Sequence, residues 1–284
     1  MDGIINVYKE KGFTSHDVVA KLRGILHQKK IGHTGTLDPE AEGVLPVCLG
    51  KATKVCDLLT NKDKTYRAVC QLGVSTDTQD MTGEILQTAD CSGVTREALQ
   101  EVLCGFTGNQ LQVPPMYSAL KVNGKKLYEL AREGKEVERA ARPITIHEIE
   151  ILKEELPEIT IRVSCSKGTY IRTLCHDIGQ ALLCGAAMAS LTRTRVGSFQ
   201  IGQAYPLAKL QQLSDEGRLS EAVLPVEEVF SHLPVMHVEE AGMKALLNGN
   251  QLKKSELEAT GTEKAAAVKT EGASGYRARI HGLD

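Results

Sequence analysis

Three side chains of this 284-residue chain stand where they could do chemistry, each in its own local motif: Asp38, Tyr66 and Arg172. Asp38 is one carboxylate held between a Gly/Thr-rich turn and a proline in "GHTGTLDPE", directly before an apolar run. Gly32 and Gly35 permit backbone angles closed to other residues, while Pro39 fixes its own φ and biases Asp38 toward an extended conformation. Such a loop can hold a side chain in one place. Asp-Pro is also ordinary turn chemistry, and the spacing alone favours the ordinary turn. Tyr66, in "KTYRA", reads about equally well as a cross-strand aromatic. Arg172, in "GTYIRTL", lies near the start of a helix on a basic segment.

Other chemistries find little support. "LGKAT" hints at a phosphate loop, but Ala52 replaces the required Ser or Thr and Gly43 is too far upstream. No GxGxxG opens a helix after a strand. His16, His27, His33, His147 and His176 show no HExxH-like spacing, so no metal site and no cofactor is expected. The eight cysteines contain no CxxC pair and read as buried thiols of a reducing cytoplasm.

The elements that must position these residues follow from pattern. Ile4–Tyr8 reads as a strand, and "TSHDVVAKLRGIL" as an amphipathic helix with Thr14 and Asp17 at capping-box spacing. A strand at Val44–Leu49 follows the Asp38 loop, then a helix near Ala52–Leu59. "KTYRAVCQLG" alternates like a strand, Thr95–Leu103 looks helical, and strands are expected at Ile144–Leu152 and Ile159–Cys165. "GTYIRTLCHDIGQALL" is a helix. Residues 108–142, with Pro114-Pro115, a Gly124 turn and a short basic helix, read as a projecting arm. Strands and helices in no strict βαβ rhythm predict an α+β fold on a mixed, largely antiparallel sheet flanked by helices. Composition shifts after Leu233, so the boundary is placed between a domain over 1–232 and a small β-rich module over 233–284. That module should hold a helix at Glu239–Leu247 and a last strand in "GYRARIHG", joined through "SHLPV".

Composition is that of a globular chain, 42% hydrophobic and 25% charged, with no apolar run of membrane-span length and no signal-peptide start. The expected location is cytoplasmic. A net charge of −2 argues against indiscriminate polyanion binding, yet the charges are segregated. Val18–Leu37 has no acid, Arg162–Arg195 has one (Asp177), and Lys121–Arg142 is net basic, while acids collect at Asp77–Glu101 and Glu148–Glu158. That distribution suits a protein with one anionic partner on one face.

"GHTGTLDPEAEGVLPVCLGKATK", "KTYRA", "VPPMYSALKVNGKKLYELAREG" and "GTYIRTLCHDIG…LTRTRVGSF", in this order and spacing, resemble the TruB-type tRNA pseudouridine synthases from about Gly3 to Phe199. The resemblance implies a pseudouridine synthase fold with a PUA-like C-terminal RNA-binding module. It implies isomerisation of a uridine in the tRNA T stem-loop, position 55, without cofactor or metal and without a required protein partner; a monomer is expected. It assigns catalysis to Asp38, Tyr66 and Arg172, with Arg172 paired to the aspartate and Tyr66 stacked on a flipped ring. His33 would fill the vacated space and Leu191 would pack on the ring, while Tyr170, Lys121 and Arg195 would contact the surroundings and phosphates. One departure stands out: Lys9-Glu10 replaces the usual Lys-Pro, which leaves the N-terminal loop without the ring's rigidity.

The reaction breaks C1′–N1 and makes C1′–C5. A carboxylate can add at C6, attack C1′, or assist elimination through a glycal; all three need it ionised beside an extruded base. Two other readings share these motifs, a guide-RNA-dependent relative and a catalytically silent RNA-binding or RNA-folding protein. The long arm favours the stand-alone enzyme over the first, and the joint presence of Asp38, Tyr66 and Arg172 argues against the second.

Overall fold

Alternation of side chains builds the central strand. In β4 (Lys64–Leu72) Tyr66, Ala68, Cys70 and Leu72 are buried while Thr65, Arg67 and Gln71 are not, as a period-two pleat requires. The computed structural model describes residues 1–122 and 124–231, together with 235–238, 244, 248, 250, 257–259 and 279–281. β1 (Gly3–Lys9) and β3 (Glu42–Leu49) are buried along almost their whole length, which is why both read as continuous apolar runs. Between them lie α1 (Ser15–Ile25) and β2 (Ile31–His33). Thr14 Oγ1 accepts from the Asp17 amide at 3.0 Å and the Thr14 amide donates back to Asp17 Oδ2 at 2.8 Å, so α1 opens on the expected capping box. Its buried Val18, Leu22 and Ile25 form one stripe.

A 3-10 turn over Gly50–Val55 precedes α2 (Cys56–Thr60), so the helix expected from Ala52 begins later. β5 (Val74–Thr76) and β6 (Ile85–Thr88) form a hairpin before α3 (Arg96–Gly105). β7 (Gly108–Gln112) is followed by the small hairpin β8 (Lys121–Val122) and β9 (Lys125–Lys126), and by α4 (Leu127–Arg132). β10 (Arg142–Glu155), β11 (Glu158–Cys165), α5 (Ile171–Ala181) and β12 (Ala186–Val196) complete the middle of the chain. The short β13 (Phe199–Gln200) and β14 (Tyr205–Pro206) then precede α6 (Leu207–Asp215) and β15 (Val223–Leu224).

The main sheet runs β14-β1-β3-β12-β4-β11-β10-β7, with β2 added on β3 and β13 on β12. β1–β14 and β12–β3 are parallel and the other ladders along this path antiparallel. This is the mixed, largely antiparallel α+β sheet that the sequence predicts. One core joins α3 and α5 to β4, β10, β11 and β12; the other joins α1 and α6 to β1 and β3. Among the described residues no helix is long and apolar enough to cross a membrane.

Two further differences from expectation have physical causes. β12 was not anticipated, because bulges at Met188/Ser190 and Arg193/Arg195 interrupt its alternation. Gly108–Gln112, counted with the arm, pairs with β10 as the edge strand β7, so the excursion from the sheet starts after Gln112. The chain divides into compact units at Met1–Val223 and Leu224–Asp284, and the second contains α7 (Val226–Val229). That unit also holds a sheet of β16 (Val235–Val238), β17 (Leu257–Ala259) and β18 (Arg279–His281), in the order β17-β16-β18. β18 falls within "GYRARIHG". The helix expected at Glu239–Leu247 lies, Lys244 apart, outside the described residues.

Close strand approach makes one glycine indispensable. Gly43, at φ +106°, faces Arg193 across the parallel β3–β12 ladder, and a Cβ there would run into the Arg193 backbone. Gly43→Ala combines this clash with a left-handed backbone, so we expect a loss of about 3 kcal/mol or more in urea unfolding of the full chain. A variant within about 1 kcal/mol of the parent would show that β3 and β12 can separate without cost.

Candidate active site

The loop 34–41 joins β2 to β3 and carries Asp38, and it is fastened at both ends by buried cations. On one side Lys9, fully buried at the end of β1, donates from Nζ to the carbonyls of Ala41 at 2.5 Å, Pro39 at 3.1 Å and Glu10 at 3.1 Å. On the other, Arg193 of β12, 2% exposed, donates from Nε to the Val44 carbonyl at 2.7 Å, with Nη1 and Nη2 each 3.4 Å from the Thr36 and Gly35 carbonyls. Neutral contacts add to this: Ser15 Oγ accepts the Leu37 amide at 2.9 Å, and the Pro39 carbonyl accepts the Gly12 amide at 2.9 Å. The N-terminal loop is tied to the Asp38 loop through Gly12 and Lys9.

Asp38 thereby meets Arg172, which α5 presents from its first turn. Arg172 Nε lies 3.0 Å from Asp38 Oδ2 and Nη2 lies 3.4 Å from Oδ1, a two-pronged pairing. The remaining donors reach the Tyr117 carbonyl at 2.7 Å, the Thr78 carbonyl at 3.1 Å and Asp80 Oδ2 at 3.5 Å. The guanidinium is 6% exposed and the Asp38 side chain 40%. The cation is therefore sealed behind the carboxylate, and the carboxylate faces outward. Asp80 is held from its other oxygen by the hydroxyls of Thr78 at 2.8 Å and Thr82 at 2.5 Å. One cation thus serves two carboxylates.

Around this pair the structure gathers most of the residues singled out from sequence. Tyr66 and Leu191, on adjacent strands, are buried in one core cluster with Leu37. Burial raises the Tyr66 phenol above its ordinary pKa of 10.0, against the pull of the neighbouring Arg193. Tyr170 is half-buried just before α5; its amide donates to Gln112 Oε1 at 2.8 Å and its carbonyl accepts from Gln112 Nε2 at 3.0 Å. Burial raises the Tyr170 phenol too, partly countered by Ser118 and by Arg142 and Arg172. His33, at the end of β2, accepts the Gly35 amide on Nδ1 at 3.3 Å and meets His16 edge to face at 5.3 Å between ring centroids. Burial first, and His16 next, lower its pKa from 6.5.

Two candidates stay outside this cluster. Arg195 is exposed and donates from Nε to Thr65 Oγ1 at 3.1 Å. Lys121 is exposed on β8, in the arm. The root of the arm does reach the site, through the Tyr117 carbonyl on Arg172 and Ser118 beside Tyr170. Sequence reasoning missed Asp80, Arg193, Lys9 and Gln112. Asp80 sits in a turn-like "DTQDMTG" and Gln112 looked like part of the arm, so neither carried a signal. Arg193 counted only toward a basic segment, and Lys9 only toward a motif.

Among the described residues no group of three His, Cys, Asp or Glu side chains could hold a metal ion. The arrangement supplies an oriented carboxylate and a buried cation behind it, with Tyr66 and Leu191 in the core cluster that also holds Leu37 of the same loop. Such a set suits nucleophilic or proton-transfer chemistry on a flat ring.

Residues 23–171 match the family described as TruB family pseudouridylate synthase (N terminal domain), and residues 172–231 match the tRNA pseudouridylate synthase B C-terminal domain. A protein of Lachnoclostridium phytofermentans named tRNA pseudouridine synthase B is 58% identical over 89% of this chain and 84% of its own. One of the same name from Alkaliphilus oremlandii is 46% identical over 89% of this chain and 83% of its own. In the crystal structure of a Cbf5-Nop10-Gar1 complex, a chain 34% identical to this one superposes with a TM-score of 0.69, covering 88% of this chain and 68% of that one.

Burial lowers the Lys9 ammonium from 10.5 to about 8. Between these values the unfolded chain binds more protons than the folded one, so this group's contribution to stability rises with pH through that window. Relative to Lys9→Met, the parent should gain about 1–2 kcal/mol in urea unfolding between roughly pH 7.5 and 9.5. An unchanged difference between the two proteins would mean that the ammonium loses no protons there.

Proposed function

We infer the reaction from one premise: this chain belongs to the TruB family of pseudouridylate synthases. It isomerises uridine to pseudouridine in tRNA, and we assign the target to position 55 in the T loop. The observation that carries this reading is the outward-facing Asp38 carboxylate held by a buried guanidinium at 3.0 Å. Its higher identity to the tRNA-modifying relatives, 58% against 34% for the Cbf5 chain, favours direct action on tRNA over a guide RNA. We propose that the enzyme works as a monomer with no protein partner, in the cytoplasm. The C-terminal unit adds tRNA contact.

In this reading the target uridine leaves its stack, at a cost of a few kcal/mol. Tyr66 and Leu191 receive the ring and His33 fills the space it leaves. Asp38 reacts with the extruded nucleoside while Arg172 keeps the carboxylate aimed. The C1′–N1 bond breaks, the ring turns, and C1′ bonds to C5; the C5 proton is lost and N1 gains one, so nothing is added or removed overall. Tyr66 assists loss of the C5 proton. Lys121, Tyr170 and Arg195 contact the RNA around the site, and dispersed cations suffice because RNA loops are read by shape, stacking and phosphate contact.

The purified chain, incubated alone with an unmodified tRNA transcript, should convert position 55 and leave a transcript with cytidine there unmodified. Asp38→Asn should bind the transcript with near-parental affinity and form no pseudouridine, because the amide keeps the size and loses the nucleophile. Substantial product from that variant would remove Asp38 from the chemistry.

Arg172→Lys keeps the charge but replaces a planar fork with a flexible point donor. Misplacing the carboxylate by about 1 Å can lower the chemical step on the order of a hundredfold. Single-turnover rates at saturating enzyme should fall by about that factor while affinity holds. A near-parental rate with weaker, salt-sensitive binding would instead make Arg172 a phosphate contact.

A further inference from the structure

Arg193 is among the largest fully buried side chains, and its guanidinium donates to three backbone carbonyls rather than to a carboxylate. Taking a charge out of water costs several kcal/mol unless something is gained from its geometry. An apolar side chain would fill the same space without that cost. What a guanidinium supplies and an apolar group does not is a rigid planar fork that can hold several acceptors at once.

The acceptors point to the purpose. Val44 belongs to β3, while Gly35 and Thr36 belong to the loop that carries Asp38. Arg193 is also in register with Tyr66 of β4 on one side and Gly43 of β3 on the other. The Tyr66 hydroxyl lies against the same guanidinium. One side chain therefore spans three adjacent strands and touches both the base of the nucleophile's loop and the aromatic ring expected to receive the base. The Lys9 ammonium holds the opposite end of the loop, at Pro39 and Ala41, and leaves the Gly35–Thr36 end to Arg193.

We propose that Arg193 is a positioning residue of the reaction, setting the distance between the Asp38 loop and Tyr66 by clamping the Gly35 and Thr36 carbonyls. It does not touch the substrate. The proposal rests on the tRNA reading above and deepens it: Arg172 aims the carboxylate from behind, while Arg193 places the backbone from which that carboxylate extends. A lysine at this position keeps the charge but lacks the planar fork whose three nitrogens set the Val44, Thr36 and Gly35 carbonyls in fixed positions relative to one another.

The test uses Arg193→Lys and Arg193→Gln in the full chain, with unmodified tRNA transcript. Single-turnover rate at saturating enzyme, transcript affinity, thermal midpoint and amide exchange are measured together. We expect Arg193→Lys to slow the single-turnover rate about tenfold or more, and Arg193→Gln further, with affinity within about threefold of the parent. Amides of residues 34–41 should exchange faster in both variants, while those of α5 stay unchanged. Rates within about twofold of the parent would overturn the proposal, as would a rate loss matched by lost affinity. Failure of both variants to fold at the assay temperature would also overturn it, leaving Arg193 a folding residue only. A parent inactive on tRNA would fail the functional reading itself; loop exchange would then still decide whether Arg193 clamps the loop.

Discussion

The pairing of Asp38 with Arg172 brings together residues 134 positions apart in the chain, and most of the surrounding architecture exists to keep them aligned. α5 must present its first turn toward the loop between β2 and β3. The turn around Thr78–Asp80 and the segment at Tyr117 must supply the remaining acceptors for the guanidinium. A buried arginine left with unfilled donors would be costly, so each of these segments is constrained by the cation it surrounds. The exposure gradient, from 6% at Arg172 to 40% at Asp38, gives the pair its direction.

The loop itself is held in an unusual way. Short neutral turns close through their own amides, but here two buried cations reach in from β1 and β12 and bind carbonyls. Charge-assisted hydrogen bonds are about twice as strong as neutral ones. They also place positive charge beneath a loop whose exposed side chain is negative. The lowered pKa of Lys9 records the desolvation cost, and Lys64, brought to about 8 chiefly by burial and then by Arg193, records a second instance next to the same arginine. Glu10 fits this picture, because its backbone carbonyl is one of the three on Lys9 and its own side-chain type is immaterial to that contact.

Side chains around the pair divide between rigid and adjustable supports. Tyr66 and Leu191 sit on the central strands β4 and β12, where backbone and core fix them. His33 sits at the end of a short strand, held by one 3.3 Å amide contact and by the His16 ring. Side chains on central strands are held more firmly than one at the end of a short strand. The arm has both characters: its root touches Arg172 and Tyr170, while Lys121 stands exposed further along.

Sequence by itself determined the elements whose signals are local. The Thr14/Asp17 capping box started α1, and alternation in "KTYRAVCQLG" marked β4 as a strand. The 3.6-residue stripe of α5 was legible, as was the candidacy of Asp38 and Arg172, though their roles came from motif resemblance and not from spacing. What only the tertiary structure decided was everything that depends on register across the sheet. β12 hid because two bulges broke its period, and with it hid Arg193, whose burial follows from facing Gly43 on one side and Tyr66 on the other. Asp80 and Gln112 were unreadable for the same reason: each is an unremarkable turn or edge residue until α5 packs beside it. Local propensity acts over a few residues, whereas a buried charge is defined by what surrounds it, and those neighbours come from segments far apart in the chain.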